Sequence, residues 1–246
     1  MYEETGRYYA FFGPHAVVTP EEKQFFGHWT AGCRRVIDFG AGLCGPASTL
    51  AHLGLEVLAF EPSPILAALA MDRLNRGDDF DRSITLIEGA PETFAAQFSA
   101  DLILMRSVVM LLNNADRTTA LQAAAKHIAP GARLILDVRT TALPWIAQGH
   151  LEEERRLGST IYRRLTHYTR AGEGATLVHW TVEAERCGCT RVLADERFVV
   201  RADTVGGLRE LLGAAGFEIE KVYGAYDINR PYADGEEMIV AVARAS

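Results

Sequence analysis

The stretch Val36-Ile37-Asp38-Phe39-Gly40-Ala41-Gly42-Leu43-Cys44-Gly45 constrains this chain more than any other. Residues 35–38 read as a short buried strand that ends in a glycine-rich turn, and residues 46–53 read as a helix leaving that turn. Gly40, Gly42 and Gly45 satisfy G-x-G-x-x-G between a strand and a helix. They let the backbone turn tightly and pass close to a ligand. The next strand, 55–60, is followed by Glu61. That acid lies about 20 residues past the first glycine, where a carboxylate can accept both hydroxyls of a ribose.

The same alternation continues. Thr19-Pro20-Glu21-Glu22 predicts a helix start, with Thr19 as N-cap, Pro20 at the first helical position and Glu22 completing a capping box. Ser63-Pro64 caps a helix running to residue 74, and strands are predicted over 84–87 and 101–105. An Ala-rich helix spans 116–128 and stops at Pro130-Gly131, before a strand over 133–138. Strands alternating with helices predict an α/β fold with a doubly wound, mostly parallel sheet. A helix over 204–215 and strands over 218–223 and 238–242 bring that sheet to seven strands. Between them, residues 160–170, 175–186 and 191–201 alternate partially and are separated by turn signals. They predict a three-stranded antiparallel insertion after strand five, within 151–202. With no low-complexity linker, residues 1–246 read as a single domain, with residues 1–31 forming an N-terminal lid and helix.

Composition narrows the partners. The 246 residues carry 25 Lys and Arg against 32 Asp and Glu, a net charge of −7. An acidic chain gains nothing from releasing counterions of a phosphate backbone, so nucleic acid is excluded as the expected partner. The run 102–112 is interrupted by Arg106 and is too short to span a bilayer. The N-terminus lacks the apolar core of a signal peptide, and four scattered cysteines make no disulfide framework, so a cytoplasmic, reduced protein is expected. The histidines have no metal-ligand spacing, so no metal is expected.

Asp38 decides which nucleotide fits. A pyrophosphate on the glycine loop would be repelled by a carboxylate at the strand end, whereas a ligand with an amino group and a sulfonium would be attracted. S-adenosylmethionine is such a ligand. At these residues the chain resembles the class I S-adenosylmethionine-dependent methyltransferases. Asp38-Phe-Gly40-Ala-Gly42 resembles their acidic glycine motif, and Glu61 their ribose-binding acid. The resemblance implies a Rossmann-like methyltransferase fold, with Asp38, Gly40, Ala41, Gly42, Gly45, Glu61 and Pro62 around the cofactor. It places Ala90 and Glu92 at the adenine, and Arg106 and Ser107 at the active-site rim. S-adenosylhomocysteine would be the product, and a small molecule methylated on N or O the acceptor. Two other readings stand beside it: an NAD(P)-dependent oxidoreductase using the same loop, and a non-catalytic cofactor-binding module.

Ligands of open α/β sheets lie outside the carboxyl ends of the strands. The expected acceptor pocket therefore gathers Arg106, Asp137, Arg139, Tyr226 and Asp227, closed from above by Tyr8 and Tyr9, with His179 of the insertion facing it. Tyr226, Asp227 and Arg106 are the expected catalytic residues. Arg106 either orients the acceptor or braces the loop by pairing with Glu92 or Asp137. The insertion predicts either a monomer with a substrate cover or a homodimer.

Overall fold

The computed structural model describes residues 2–12, 17–77, 82–93, 98–140 and 150–245, except for the side chains of residues 93 and 151. Two sheets organise them. The larger has the order β10-β11-β5-β4-β1-β2-β3. It comprises β1 (Arg35–Phe39), β2 (Glu56–Glu61), β3 (Ile84–Glu88), β4 (Ala100–Met105), β5 (Ile128–Arg139), β10 (Phe217–Tyr223) and β11 (Met238–Ala245). β11 runs antiparallel to both its neighbours, and the other pairings are parallel. The α/β architecture is thus the predicted mostly parallel seven-stranded sheet. Its central strands are near-continuous apolar runs, as strands covered on both faces must be. Leu102, Ile103, Leu104, Leu134, Ile135 and Leu136 are all within 1% of complete burial.

Helices α2 (Pro20–Trp29), α3 (Gly45–His52), α4 (Pro64–Asn75), α5 (Asn114–His127) and α6 (Val205–Ala214) flank this sheet. The capping box of α2 forms as predicted: Thr19 Oγ1 accepts from Glu22 N at 3.2 Å, while Glu22 Oε2 accepts from Thr19 N at 2.9 Å. α5 begins two residues earlier than expected, because Asn113 caps it through Asp116 N at 3.0 Å. The chain then enters β5 at Ile128, before Pro130-Gly131, which sits in an irregularity of the β4–β5 pairing. A proline is tolerated in a strand where the ladder is interrupted.

The second sheet corrects the prediction. It has four antiparallel strands rather than three: β6 (His150–Leu157), β7 (Thr160–Gly172), β8 (Ala175–Arg186) and β9 (Cys189–Arg201), in that order. β6 was invisible to hydropathy because its sequence, HLEEERRL, has almost no apolar residues. Charge pairs hold it instead. Glu153 stands opposite Arg164 and Glu154 opposite Arg163, and both pairs are bonded. Opposite charges directly across an antiparallel pair stabilise it.

A four-stranded sheet alone would leave one face unsupported. Here that face is covered. Met110 packs on Val178 and Val200 at one end, and Phe12 of α1 (Gly6–Phe12) packs on Val182 and Ala194 at the other. α1 also touches α4, where a Cβ on Gly6 would sit 3.0 Å from Ile65. Among the described residues no helix is long and apolar enough to cross a membrane.

Arg117 of α5 ties the parts together. It is buried, donates Nε to the carbonyl of Val109 at 2.8 Å, and meets Asp203 through both terminal nitrogens at 3.1 and 2.9 Å. Breaking one side of a buried pair costs about 3–5 kcal/mol, because the other charge is left without compensation. Arg117→Met is therefore expected to lower the melting temperature by roughly 6–20 °C, at about 2–4 °C per kcal/mol for a chain this long. Adding Asp203→Asn should recover part of the loss. A single variant melting like the natural chain would refute the clamp.

Candidate active site

β1 delivers Asp38 to the carboxyl edge of the sheet, followed at once by the glycine loop. Gly40 N and Ala41 N both donate to the carbonyl of Phe60, at 2.8 and 2.9 Å, folding the loop back over β2. Gly40, Gly42 and Cys44 take left-handed backbone angles, with φ of 71°, 55° and 58°. Gly45 instead begins α3. Cys44 thus adopts a conformation that normally favours glycine. The loop is braced from α4 by Arg73, whose Nη1 donates to the carbonyls of Leu43 and Cys44 at 2.9 and 3.0 Å and to Ser48 at 3.2 Å. No motif marks Arg73 in the sequence, since its targets are backbone atoms 29 and 30 residues away.

Two buried carboxylates face this loop. Glu61 accepts from Gly42 N at 2.7 Å and from Ser63 N at 2.8 Å. A carboxylate has about four acceptor positions, so capacity remains for ribose hydroxyls. Asp38 is 1% exposed, and its Oδ2 has no hydrogen-bond partner among the described residues. Burial pushes its pKa up to about 7, with the charge of Glu61 raising it further and Arg106 opposing the rise. A buried carboxylate oxygen left empty is costly, and a ligand cation would fill it. The residues present therefore fit the ligand that Asp38 predicted. Ala41 is buried beside them and Pro62 is exposed at the rim. At the far side, Gly89 N ties β3 to the carbonyl of Glu61 at 3.0 Å. Ala90 is half-buried there, and Glu92 is exposed in the single turn Pro91–Thr93.

A second cluster forms where β4 and β5 end. Asp137 is fully buried and accepts from Ser107 N at 2.5 Å, Ser107 Oγ at 3.3 Å and the Tyr226 hydroxyl at 2.9 Å. Ser107 holds φ of 57°, a strained angle for this residue. The ring of Tyr226 packs on Phe25 and Phe26 of α2, and the Arg106 guanidinium lies 5.6 Å from its centroid. Burial raises the Tyr226 hydroxyl well above its ordinary value, and the charge of Asp137 adds to the rise. Arg106 pairs with Glu22 at 2.6 Å, not with Glu92 or Asp137 as expected. Glu22 was readable only as a helix cap; its second role depends on a contact 84 residues away.

Other expected residues fall in different places. Asp227 lines a cleft of about 280 Å³ with Tyr226 and Glu22, and its Oδ1 accepts from Asn229 N at 2.8 Å, shaping the turn. Arg139 ends β5, and its carbonyl accepts from Asp203 N at 2.8 Å. Tyr9 reaches the site region, with its ring 4.9 Å from Tyr2 and 6.2 Å from Trp180. Arg106 and Arg164 act on its hydroxyl against the burial that raises it. Tyr8 packs instead with Phe12 and Val182. His179 corrects its expectation. It alternates with the inward-facing Val178 and Trp180, so it stands on the outer face of the second sheet, where Nε2 meets Asp195 Oδ2 at 2.7 Å. Among the described residues no group of three or more His, Cys, Asp or Glu could hold a metal ion.

Residues 37–134 match the profile of a family described as a methyltransferase domain. Over those residues the chain is similar to a methyltransferase domain. The match spans the glycine loop, Glu61 and the Arg106–Ser107 rim. No curated protein matches the chain. Among solved structures it is similar to the CcbJ methyltransferase from Streptomyces caelestis, with a TM-score of 0.78 at 16% identity, covering 99% of this chain and 97% of that one. It is similar to the sugar N-methyltransferase KedS8 from Streptoalloteichus sp ATCC 53650, with a TM-score of 0.73 at 16% identity over 97% and 93%. CalS10 from Micromonospora echinaspora, an amino pentose methyltransferase bound to S-adenosylmethionine, gives 0.65 at 21% over 92% and 88%. These likenesses carry the fold over nearly the whole length of the chain.

Proposed function

We propose that this chain transfers a methyl group from S-adenosylmethionine to an amine nitrogen of a small, sugar-like acceptor. When bound, the cofactor supplies a methyl group on a sulfonium, already a good electrophile. The chain's residues then have to align rather than activate, and alignment alone can supply a large share of a rate. The empty Oδ2 of Asp38 carries the cofactor half of the reading. It also weighs against a nicotinamide dinucleotide, whose pyrophosphate would meet that carboxylate.

The acceptor half rests on Asp137 and Tyr226. The Asp137 carboxylate is engaged by Ser107 and Tyr226, and the raised pKa of Tyr226 keeps its hydroxyl protonated near neutral pH. Neither is poised to take a proton. A neutral amine brings its own lone pair and needs no base, whereas a hydroxyl does. The named activities of KedS8 and CalS10, on a sugar and an amino pentose, support the same class of acceptor. In this reading α1 and residues 151–202 form the cover over the acceptor, and Tyr226, Asp227 and Arg106 position it.

The test is transfer of labelled methyl from S-adenosylmethionine to a panel of amino sugars and their hydroxy analogues. Amines are expected to be methylated and the analogues not. Equal rates on both would overturn the nitrogen assignment, and a thermal shift with NAD(H) but none with S-adenosylhomocysteine would overturn the cofactor. Once an acceptor is known, Tyr226→Phe is expected to lower kcat/KM roughly tenfold, about 1.4 kcal/mol, by releasing the hydrogen bond that fixes Asp137. Affinity for S-adenosylhomocysteine should stay within about twofold on the same argument. Unchanged kinetics would remove Tyr226 from the site.

A further inference from the structure

Arg164 of β7 lies on the inner face of the second sheet and is 8% exposed. A charge so deeply buried normally has its donors filled. Its Nε donates to Glu153 Oε2 at 2.6 Å, and Nη2 reaches the same oxygen. The guanidinium lies 5.7 Å from the ring centre of Phe12 and 4.9 Å from that of Trp180. Nη1 is buried and has no hydrogen-bond partner among the described residues. Because an arginine does not lose its proton in a protein, neutralisation cannot relieve this donor. An acceptor group from outside the chain can.

The surroundings indicate the charge of that group. Tyr9 of α1 feels both Arg164 and Arg106, and Tyr168 of β7 feels both Arg164 and Arg139. Arg106 is already paired with Glu22 and Glu61 acts on Tyr9 in the opposite sense, which leaves Arg164, among the described residues, as the buried cation with an unfilled donor. The carboxylates near Arg164 are already engaged. Glu153 is held by Arg164, and Glu196 accepts from the amides of Tyr2 and Thr5 and from the Thr5 hydroxyl. A guanidinium matches the geometry of carboxylate and phosphate, and its hydrogen bonds to them are the strong ones.

We infer that Arg164 Nη1 binds an oxyanion on the methyl acceptor, a carboxylate or a phosphate. The inference rests on the methyl-transfer reading and adds to it a substrate class: a small amine that also carries an acid group. Arg164 is a specificity-determining residue in this reading, on the inner face of the second sheet beside Trp180. Bound oxyanion would also alter the environment of Trp180, which the guanidinium faces.

The experiment uses the full chain loaded with S-adenosylhomocysteine and titrated with sodium phosphate or with sodium acetate at constant ionic strength. Calorimetry and tryptophan emission are followed together. At least one of the two anions should give saturable binding, and which one does so identifies the acid group. W180F should keep the calorimetric binding and lose the emission change. R164K keeps the charge but loses the planar fork, and should weaken the anion tenfold or more while remaining folded, with a cooperative melt. The R164M/E153Q pair, which leaves no lone charge, should abolish binding; if that pair does not fold, R164K alone decides. Saturation by neither anion, or equal affinity in the natural chain and R164K, would overturn the inference. S-adenosylhomocysteine binding is measured first: its absence overturns the methyl-transfer reading, whereas its presence without an anion effect overturns only this proposal.

Discussion

Asp38→Asn is expected to weaken S-adenosylhomocysteine binding by about 1.5–3 kcal/mol, the worth of a hydrogen bond to a charged group, or roughly 10–150-fold. The substitution keeps shape and removes the charge that would face the ligand's amino group. The pH dependence gives a sharper test. With its pKa pushed up to about 7 by burial, Asp38 is half protonated near neutrality in the free protein. A cationic ligand favours only the carboxylate form, so affinity should rise with pH through about 7 and fall about tenfold per unit below it. The ligand's own amino group loses its proton at more alkaline pH, which should make the full profile bell-shaped.

The same shift fixes the sign for stability. A carboxyl whose folded pKa lies above its ordinary value near 3.8 costs the free protein stability as pH rises from about 4 to about 7, and the loss is complete above that range. Asp38→Asn should remove that loss, so the unliganded variant should gain melting temperature relative to the natural chain at pH 8 and not at pH 4. Calorimetric titrations and melts from pH 4 to 8.5 read both effects. An acid limb that persists in the variant would show that another group titrates.

Gly40→Ala is expected to cost stability as well as binding. At φ of 71° a side chain is strained, and a Cβ there would lie 2.5 Å from Val108 Cγ2. Left-handed strain costs about 1–2 kcal/mol and overpacking against a stiff β-branched neighbour about 1–3. Together they predict a fall of roughly 4–20 °C in melting temperature, at about 2–4 °C per kcal/mol. Gly42 is the control. It also has positive φ, 55°, but a Cβ there meets nothing within 4 Å, so Gly42→Ala should show the strain alone. Val108→Ala in the Gly40→Ala background should recover the clash and not the strain. Equal losses at both glycines would mean that Val108 yields without cost.

The contrast between the two glycines shows what a sequence can carry. G-x-G-x-x-G places a tight turn between strand and helix, and the structure puts Gly40 and Gly42 there. Nothing in the motif says that Val108, 68 residues on by its number, closes over one glycine and leaves the other open. In the same way, Thr19-Pro-Glu-Glu22 encodes a capping box because its partners are three residues apart. That Glu22 also holds Arg106 under the ring of Tyr226 follows only from how α2 lies across the sheet.

The sequence by itself determined the alternation of strands and helices, the mostly parallel seven-stranded sheet, and the glycine turn that brings Asp38 and Glu61 to one edge of it. Those features are written in hydrophobic periodicity and in short spacings of glycine and acid, both of which act within a single turn or strand. Tertiary structure alone decided the strand of charges, β6, whose cohesion comes from Arg163 and Arg164 on its neighbour rather than from its own hydropathy. It alone turned His179 outward, since the face of a strand is fixed by which neighbours need burial. It alone closed Asp137 with Tyr226 across 89 residues and left Asp38 Oδ2 and Arg164 Nη1 without partners. Whether a buried polar atom is satisfied depends on every element packed around it, and no local pattern in a sequence records that.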